Sequence, residues 1–286
     1  MTTPTAAAAG TIEVGGRTVD RMGYGAMRLC GPEVLGPPAD PEAAREVLRR
    51  AVALGVDFVD TADAYGPGVN ERQIASTLDL TGEHEHVTVA TKAGTLRSPD
   101  GDWIPHGDPD YLRNQALVSR DRLGVDSLDL LQLHSPDPDV DFEESVTALA
   151  DLRDRGVVDA VGLSNVSVEQ FERAREHVTV ASVQNQYNVG HREHDRVLDA
   201  CEAYDVAFLP YFPLAPGGFG AAETTVTAVA DEHDTTPEAV ALSWLLARSP
   251  VVLPIPGTSS VEHLEANVAA AGLDLPADAL RRLDDA

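Results

Sequence analysis

The stretch GYGAMRLCG, residues 23–31, decides between two architectures. Two glycines one residue apart suggest the first strand–helix turn of a doubly wound, dinucleotide-binding sheet. That turn needs a third glycine at a fixed spacing and a helix opening directly after it. The glycines let the backbone approach a pyrophosphate held at the helix N-terminus. Neither feature follows here, so the segment reads as a strand, MGYGAM (22–27).

Outward from this strand the chain keeps one rhythm. Seven further apolar runs follow: VDFVDTA, HVTVATK, LDLLQLH, VVDAVGLSN, SVQNQYN, VAFLPY and VVLPIP. Between them lie amphipathic stretches. PEAAREVLRRAVALG (41–55) has Asp40 as N-cap, Pro41 at the first helical position and Gly55 at its end. The stretches 108–124, 142–156 and 236–249 read the same way. Short, continuously apolar strands alternating with helices indicate a parallel sheet covered by helices. Eight such units indicate a closed (β/α)8 TIM barrel spanning 1–286 as one domain. A short β-hairpin precedes it, TIEVGGRTVDRM, turning at Gly15-Gly16.

Composition narrows the function classes. Asp and Glu number 47 against 21 Lys and Arg, a formal charge of -26, with 43% apolar residues. The chain has enough apolar surface to fold. Its acidic excess disfavours nucleic acid and anionic membranes as partners. It is compatible with adaptation to high salt, where charge repulsion is screened. Two cysteines suggest no disulfide framework. The opening MTTPTAAAAG has no basic n-region or long apolar segment, so no signal peptide is expected. A soluble cytoplasmic protein is the expectation.

Chemistry in a barrel sits at the C-terminal ends of the strands. The second run ends in Asp60, with Tyr65 five residues on; the third ends in Lys92, the fourth in His134 and the fifth in Ser164 and Asn165. Steps of 32, 42 and 30 residues from 60 to 164 are each about one strand–helix unit, so these groups converge on one mouth. Singly, Asp60 reads as a cap, Tyr65 as a loop aromatic and His134 as a core histidine. Lys92 is different. It is the only lysine in the chain, and a buried ammonium needs a carboxylate, for which Asp60 is placed. A lysine beside a tyrosine hydroxyl favours the phenolate and is expected to lower its pKa. The set offers a proton donor aimed at a carbonyl oxygen, and His134 can hydrogen-bond the same oxygen. Hydride would come from a cofactor.

At these residues the chain resembles the aldo-keto reductase family. The matching stretches are DFVDTADAYGPGVNE (57–71), VATKAG (88–93), SRDRLGVDSLDLLQLHSPDP (119–138), VGLSN (161–165), VQNQYN (183–188) and IPGTSSVEHLEANV (255–268), in the family's order. The resemblance implies a catalytic tetrad of Asp60, Tyr65, Lys92 and His134, with Tyr65 as general acid in carbonyl reduction. It implies a nicotinamide nucleotide lying extended across the barrel mouth. Ser164, Asn165 and Gln184 match positions that hold the carboxamide, and Tyr211 the aromatic stacked on the nicotinamide. Leu214, Ala215 and Gly217 match the loop over the pyrophosphate, and Asn267 the adenine contact.

The phosphate end departs from the family's best-studied members. Gly257 and His263 stand where those carry basic residues for the 2′-phosphate. Thr258, Ser259, Ser260 and the helix N-terminus after them remain as an anion site, with His263 contributing when protonated. NADP(H) is favoured, with NAD(H) possible. Met27 and Trp103 lie in segments expected near the substrate. The long C-terminal loop that narrows some relatives' pockets is absent from the sequence, so an open pocket for a range of aldehydes or ketones is expected. No metal is expected: His84 with His86, and His191 with His194, have no evident third ligand. Two rival functions use the same barrel, a Schiff-base lyase with Lys92 as nucleophile and a non-catalytic nucleotide-binding regulator.

Overall fold

The computed structural model of the protein describes residues 5–286. Residues 1–4, the start of the stretch expected to hold no signal peptide, lie outside the described residues. The predicted hairpin is present as β1 (Thr11–Val14) and β2 (Arg17–Asp20), paired antiparallel. Seven parallel strands form the central sheet: β3 (Tyr24–Gly25), β4 (Phe58–Asp60), β5 (Thr88–Ala93), β8 (Leu128–Leu133), β9 (Val158–Ser164), β10 (Val180–Gln184) and β11 (Ala207–Phe208). An antiparallel pair that the sequence reading did not anticipate, β6 (Thr95–Arg97) and β7 (Trp103–Pro105), interrupts the alternation.

The eighth run, VVLPIP, does not form a regular strand, yet it closes the barrel. Phe208 donates its N–H to Val251 and accepts from Leu253. On the other side Gly23 and Gly25 donate to Pro254 and Pro256, at 3.0 and 3.3 Å. Pro254 and Pro256 have no N–H, so this edge can only accept. Close approach at the seam requires glycine: a Cβ on Gly25 would lie 2.7 Å from the Ile255 carbonyl oxygen, and one on Gly257 would lie 2.8 Å from that of Gly25. The two glycines of GYG therefore serve barrel closure, not a phosphate turn.

Helices α1 (Pro41–Ala53), α2 (Val69–Thr77), α3 (Pro109–Leu123), α4 (Phe142–Asp154), α5 (Val168–Arg175), α6 (Asp195–Ala203), α7 (Glu223–Glu232), α8 (Pro237–Arg248), α9 (Val261–Ala269) and α10 (Ala277–Asp284) complete the described secondary structure, with short 3-10 turns. Asp40 caps α1 by accepting from the N–H groups of Glu42 and Ala43, as its sequence predicts. Asp108, Asp141 and Thr236 cap α3, α4 and α8 likewise.

The interior changes character along the barrel axis. Phe58, Ala90, Leu130, Ala160, Ala207 and Leu253 form one apolar cluster with Val14 and Val19 of the hairpin. The hairpin thus plugs the end where the strands begin. Two residues further along β4, β5 and β8, on the same inward face, stand Asp60, Lys92 and Gln132, with Gly162 at the same level of β9, whereas the corresponding Leu209 and Ile255 stay apolar. Asp60, Lys92 and Gln132 give the floor of the other end a polar side.

Candidate active site

Lys92 is 1% exposed, and all three of its N–H donors are used. Nζ donates to Asp60 Oδ2 at 2.7 Å, to the Thr61 carbonyl at 2.9 Å and to Tyr65 Oη at 3.3 Å. Burial lowers its pKa, but Asp60 and Tyr65 outweigh this, and the net shift is upward. A saturated, fully charged ammonium is a poor nucleophile, so the Schiff-base reading loses its support.

Asp60 Oδ1 accepts from Gln184 Nε2 at 2.8 Å and from Gln132 Nε2 at 3.3 Å. The carboxylate therefore has donors on both oxygens. The Tyr65 phenol differs from the sequence expectation. Burial raises its pKa, Lys92 lowers it, Asp60 raises it, and the net shift is upward. Desolvation exceeds the effect of the cation, so the phenol keeps its proton throughout the neutral range. His134 is held neutral: burial lowers its pKa well below 6.5, helped by the cations Lys92 and Arg97.

Tyr65 and His134 open onto a cavity of about 380 Å³ at the polar end of the barrel. Its lining includes Asp60, Met27, Trp103, Ser164, Asn165, Gln184, Tyr211, Leu214 and Gly257, each expected near the site. The walls are mainly apolar. The rings of Tyr65, Trp103 and His134 meet edge to face, with centroids 6.0–6.1 Å apart. Trp103 is carried in by the β6–β7 pair, and the Arg97 guanidinium lies 3.7 Å above its ring. Arg97 also donates to the Glu33 and Val34 carbonyls, tying this hairpin to the loop after β3. Asn165 adopts a left-handed backbone (φ 58). It donates to the His134 carbonyl at 2.9 Å and accepts from Tyr211 Oη at 2.8 Å.

Other expected residues stand elsewhere. Ala215 turns into the core and lines a smaller neighbouring cavity, while Gly217 is exposed at the loop apex. Thr258, Ser259, Ser260, His263 and Asn267 do not line the main cavity. They lie at and along α9: Ser260 caps it by accepting from His263 N–H, Ser259 and His263 are exposed, and Asn267 is buried. Gln184 was expected to face a carboxamide, and its amide nitrogen is engaged by Asp60. Sequence reasoning missed Arg28, Thr95, Phe212 and Ile255, which also line the cavity. Among the described residues no group of three His, Cys, Asp or Glu side chains is placed to hold a metal, and no helix is long and apolar enough to cross a membrane.

A buried acid lies behind the site. Asp63, in the loop that carries Tyr65, accepts from Tyr111 Oη at 3.2 Å; its other oxygen has no partner. Glu71 stands near it, paired with Arg122 at 3.0 Å. Burial first, then Glu71, push the Asp63 carboxyl up to about 8. A raised carboxyl makes the folded state hold the extra proton, so stability falls as pH rises from about 4 towards 8 and then levels off. Asp63→Asn is expected to be more stable than the wild type at pH 8, by a few kcal/mol at most, and to lose that slope. Thermal unfolding of both proteins from pH 5 to 9 measures this, and parallel curves would refute it.

The aldo/keto reductase family model matches residues 21–286. The chain belongs to the aldo/keto reductase family. It is 42% identical over 282 residues to pyridoxine 4-dehydrogenase of Escherichia coli, covering 96% of this chain and 97% of the relative. It is also 42% identical over 280 residues to an uncharacterised oxidoreductase of Schizosaccharomyces pombe, covering 98% and 90%. A thermostable aldo-keto reductase, solved with the inhibitor epalrestat, superposes with a TM-score of 0.85 at 28% identity, over 96% of this chain and 98% of that one. This aldo-keto reductase is therefore an oxidoreductase that uses a nicotinamide nucleotide to reduce aldehyde or ketone carbonyls.

Proposed function

We propose that this aldo-keto reductase reduces an aldehyde carried on a flat aromatic or heteroaromatic ring, with NADPH as the preferred donor, in the cytoplasm. The observation that carries the chemistry is the Lys92 ammonium, which touches both the Asp60 carboxylate and the Tyr65 hydroxyl while that hydroxyl opens onto the cavity. The nicotinamide nucleotide supplies hydride to the carbonyl carbon when bound. Tyr65 Oη then gives its proton to the carbonyl oxygen, and Lys92 steadies the phenolate left behind. Asp60 keeps Lys92 charged and in place.

His134, being neutral, donates from one nitrogen only. Its Nδ1 is buried without a partner, and an orphaned buried N–H is the costlier state. The proton therefore belongs on Nε2, available to the substrate oxygen. Ser164, Asn165 and Gln184 Oε1 would hold the carboxamide, and Tyr211 the nicotinamide face. The exposed Gly257, Ser259 and His263 before and within α9 would take the adenosine phosphate, using the helix N-terminus.

The substrate class rests on the walls. Trp103 and His134 set two ring faces beside Tyr65, and Met27, Leu214 and Ile255 complete an apolar pocket. The name of the Escherichia coli relative describes chemistry at a ring substituent of this kind. NADPH oxidation, followed by absorbance, is expected with pyridoxal and with substituted benzaldehydes, and more slowly with NADH. Trp103→Ala is expected to raise KM for these aldehydes roughly tenfold, since an aromatic contact of this size contributes about 1 kcal/mol or more beyond burial. Small aliphatic aldehydes turned over as well as aromatic ones, or a Trp103→Ala KM equal to the wild type, would sink the substrate assignment.

A further inference from the structure

Gln132 is a large polar side chain at a level of the barrel where, one layer lower on the same strand, stands Leu130. It is fully buried. A buried amide is unfavourable unless its groups are bonded. Its hydrogen bonds run to two neighbours: Nε2 donates to Asp60 Oδ1 at 3.3 Å, and Oε1 accepts from Ser182 Oγ at 3.3 Å. An ionised carboxylate only accepts, so the amide nitrogen must face Asp60. The Ser182 hydroxyl fixes the other end.

The strand between them makes this contact possible. Gly162 pairs with Gln132 on one side and Ser182 on the other. A Cβ added at Gly162 would fall 2.8 Å from Gln132 Cγ, and closer still to Ser182 Oγ. Only the absence of a side chain on β9 lets β8 and β10 meet inside the barrel. The result is a continuous polar line, Ser182–Gln132–Asp60–Lys92–Tyr65, crossing from β10 to the loop after β4.

We propose that Gln132, oriented by Ser182, is a positioning residue for the reaction. It holds Asp60 so that Oδ2 faces Lys92, and it draws carboxylate charge towards Oδ1, away from Tyr65. It touches neither cavity nor reacting atoms. The inference rests on the reading of Tyr65 as proton donor. The charged or titratable groups on this line are Asp60, Lys92 and Tyr65, and His134 and Cys30 face its Tyr65 end; β9 contributes Gly162, and β10 contributes Ser182 and Gln184.

The test uses two substitutions of similar size. Gln132→Met removes the donor at every pH. Gln132→Glu keeps a donor while the new carboxyl is protonated and loses it, next to Asp60, once that carboxyl ionises. NADPH-dependent reduction of a benzaldehyde is measured from pH 5 to 9. Gln132→Met is expected to lower kcat about tenfold with KM little changed. Gln132→Glu is expected to stay near the wild type at pH 5 and to fall away as pH rises, with an ionisation the wild type lacks. Equal losses in both variants at all pH values would show a packing role and overturn the inference, as would wild-type kcat in both.

Thermal unfolding of Gln132→Glu gives a readout independent of turnover. A carboxyl whose folded pKa is raised by Asp60 destabilises increasingly as pH rises from its unfolded value. A midpoint gap to the wild type that does not widen with pH refutes the contact. A wild type that oxidises no NADPH defeats the functional reading alone, and this arm then decides whether Gln132 acts on Asp60.

Discussion

Tyr65→Phe is expected to lower the rate of aldehyde reduction by about 10²–10⁴-fold, the usual contribution of a positioned general acid. The substitution removes one oxygen whose structural contact is a 3.3 Å hydrogen bond from Lys92. The ring, 6% exposed, keeps its packing against Trp103 and His134. Nicotinamide nucleotide should therefore bind the variant as it binds the wild type, measurable by quenching of tryptophan fluorescence. Loss of turnover with retained binding separates proton donation from site assembly.

The direction of the Tyr65 shift adds a pH signature. Burial, the largest influence, raises its pKa; Lys92 lowers it by less. Reduction requires the protonated phenol, so kcat should hold steady across neutral pH and decline only in alkaline solution. Oxidation of the alcohol requires the phenolate, so its rate should climb over the same alkaline range. A reductive rate that falls between pH 6 and 8 would assign the proton to another group. Residual turnover of Tyr65→Phe within a few-fold of the wild type would do the same.

Much of this site was legible because barrel geometry converts strand ends into a place. Asp60 and Ser164 each close a strand, and reading the polar residues at the end of each run singled them out; Gln184 closes β10 in the middle of a longer run, and its role entered only through the family resemblance. Gln132 escaped because it precedes the end of its run. The period-two face of a strand would have found it, since it stands two residues after inward Leu130 and pairs with Lys92. The β6–β7 hairpin escaped for another reason. GTLRSPDGDWIP carries turn residues in plenty and little apolar alternation, so nothing in its pattern separates a hairpin from a loop. Its placement depends on the Arg97 guanidinium reaching Trp103 and the loop after β3, contacts that only the tertiary structure supplies. The irregular eighth strand follows from its two prolines. Sequence could name the segment but not foresee that on the β3 side its carbonyls alone would close the barrel seam.

The sign of the Tyr65 shift was the costlier error, because a sequence shows a neighbouring cation but not the loss of solvent around the phenol. Lys92 itself tests how far that cation matters. Lys92→Met leaves the Asp60 carboxylate, 3% exposed, without its counter-ion. Removing one partner of a buried pair costs about 3–5 kcal/mol, enough to lower the unfolding midpoint by roughly 5–8 °C in a chain of this size. Lys92→Arg keeps the charge but not the shape. A planar guanidinium spreads its donors over a fork, whereas the ammonium meets Asp60, Thr61 and Tyr65 from one point. The added volume at a fully buried position costs about 1–3 kcal/mol, so the arginine variant should fold and remain more stable than the methionine one. Both are expected to lose turnover about 10²-fold or more, because neither places a compact positive charge against the Tyr65 oxygen. The two variants thus separate stability, which follows charge, from catalysis, which follows its position. Near-normal kcat in Lys92→Arg would show that charge alone suffices, and the reason for a single retained lysine would have to be sought in folding.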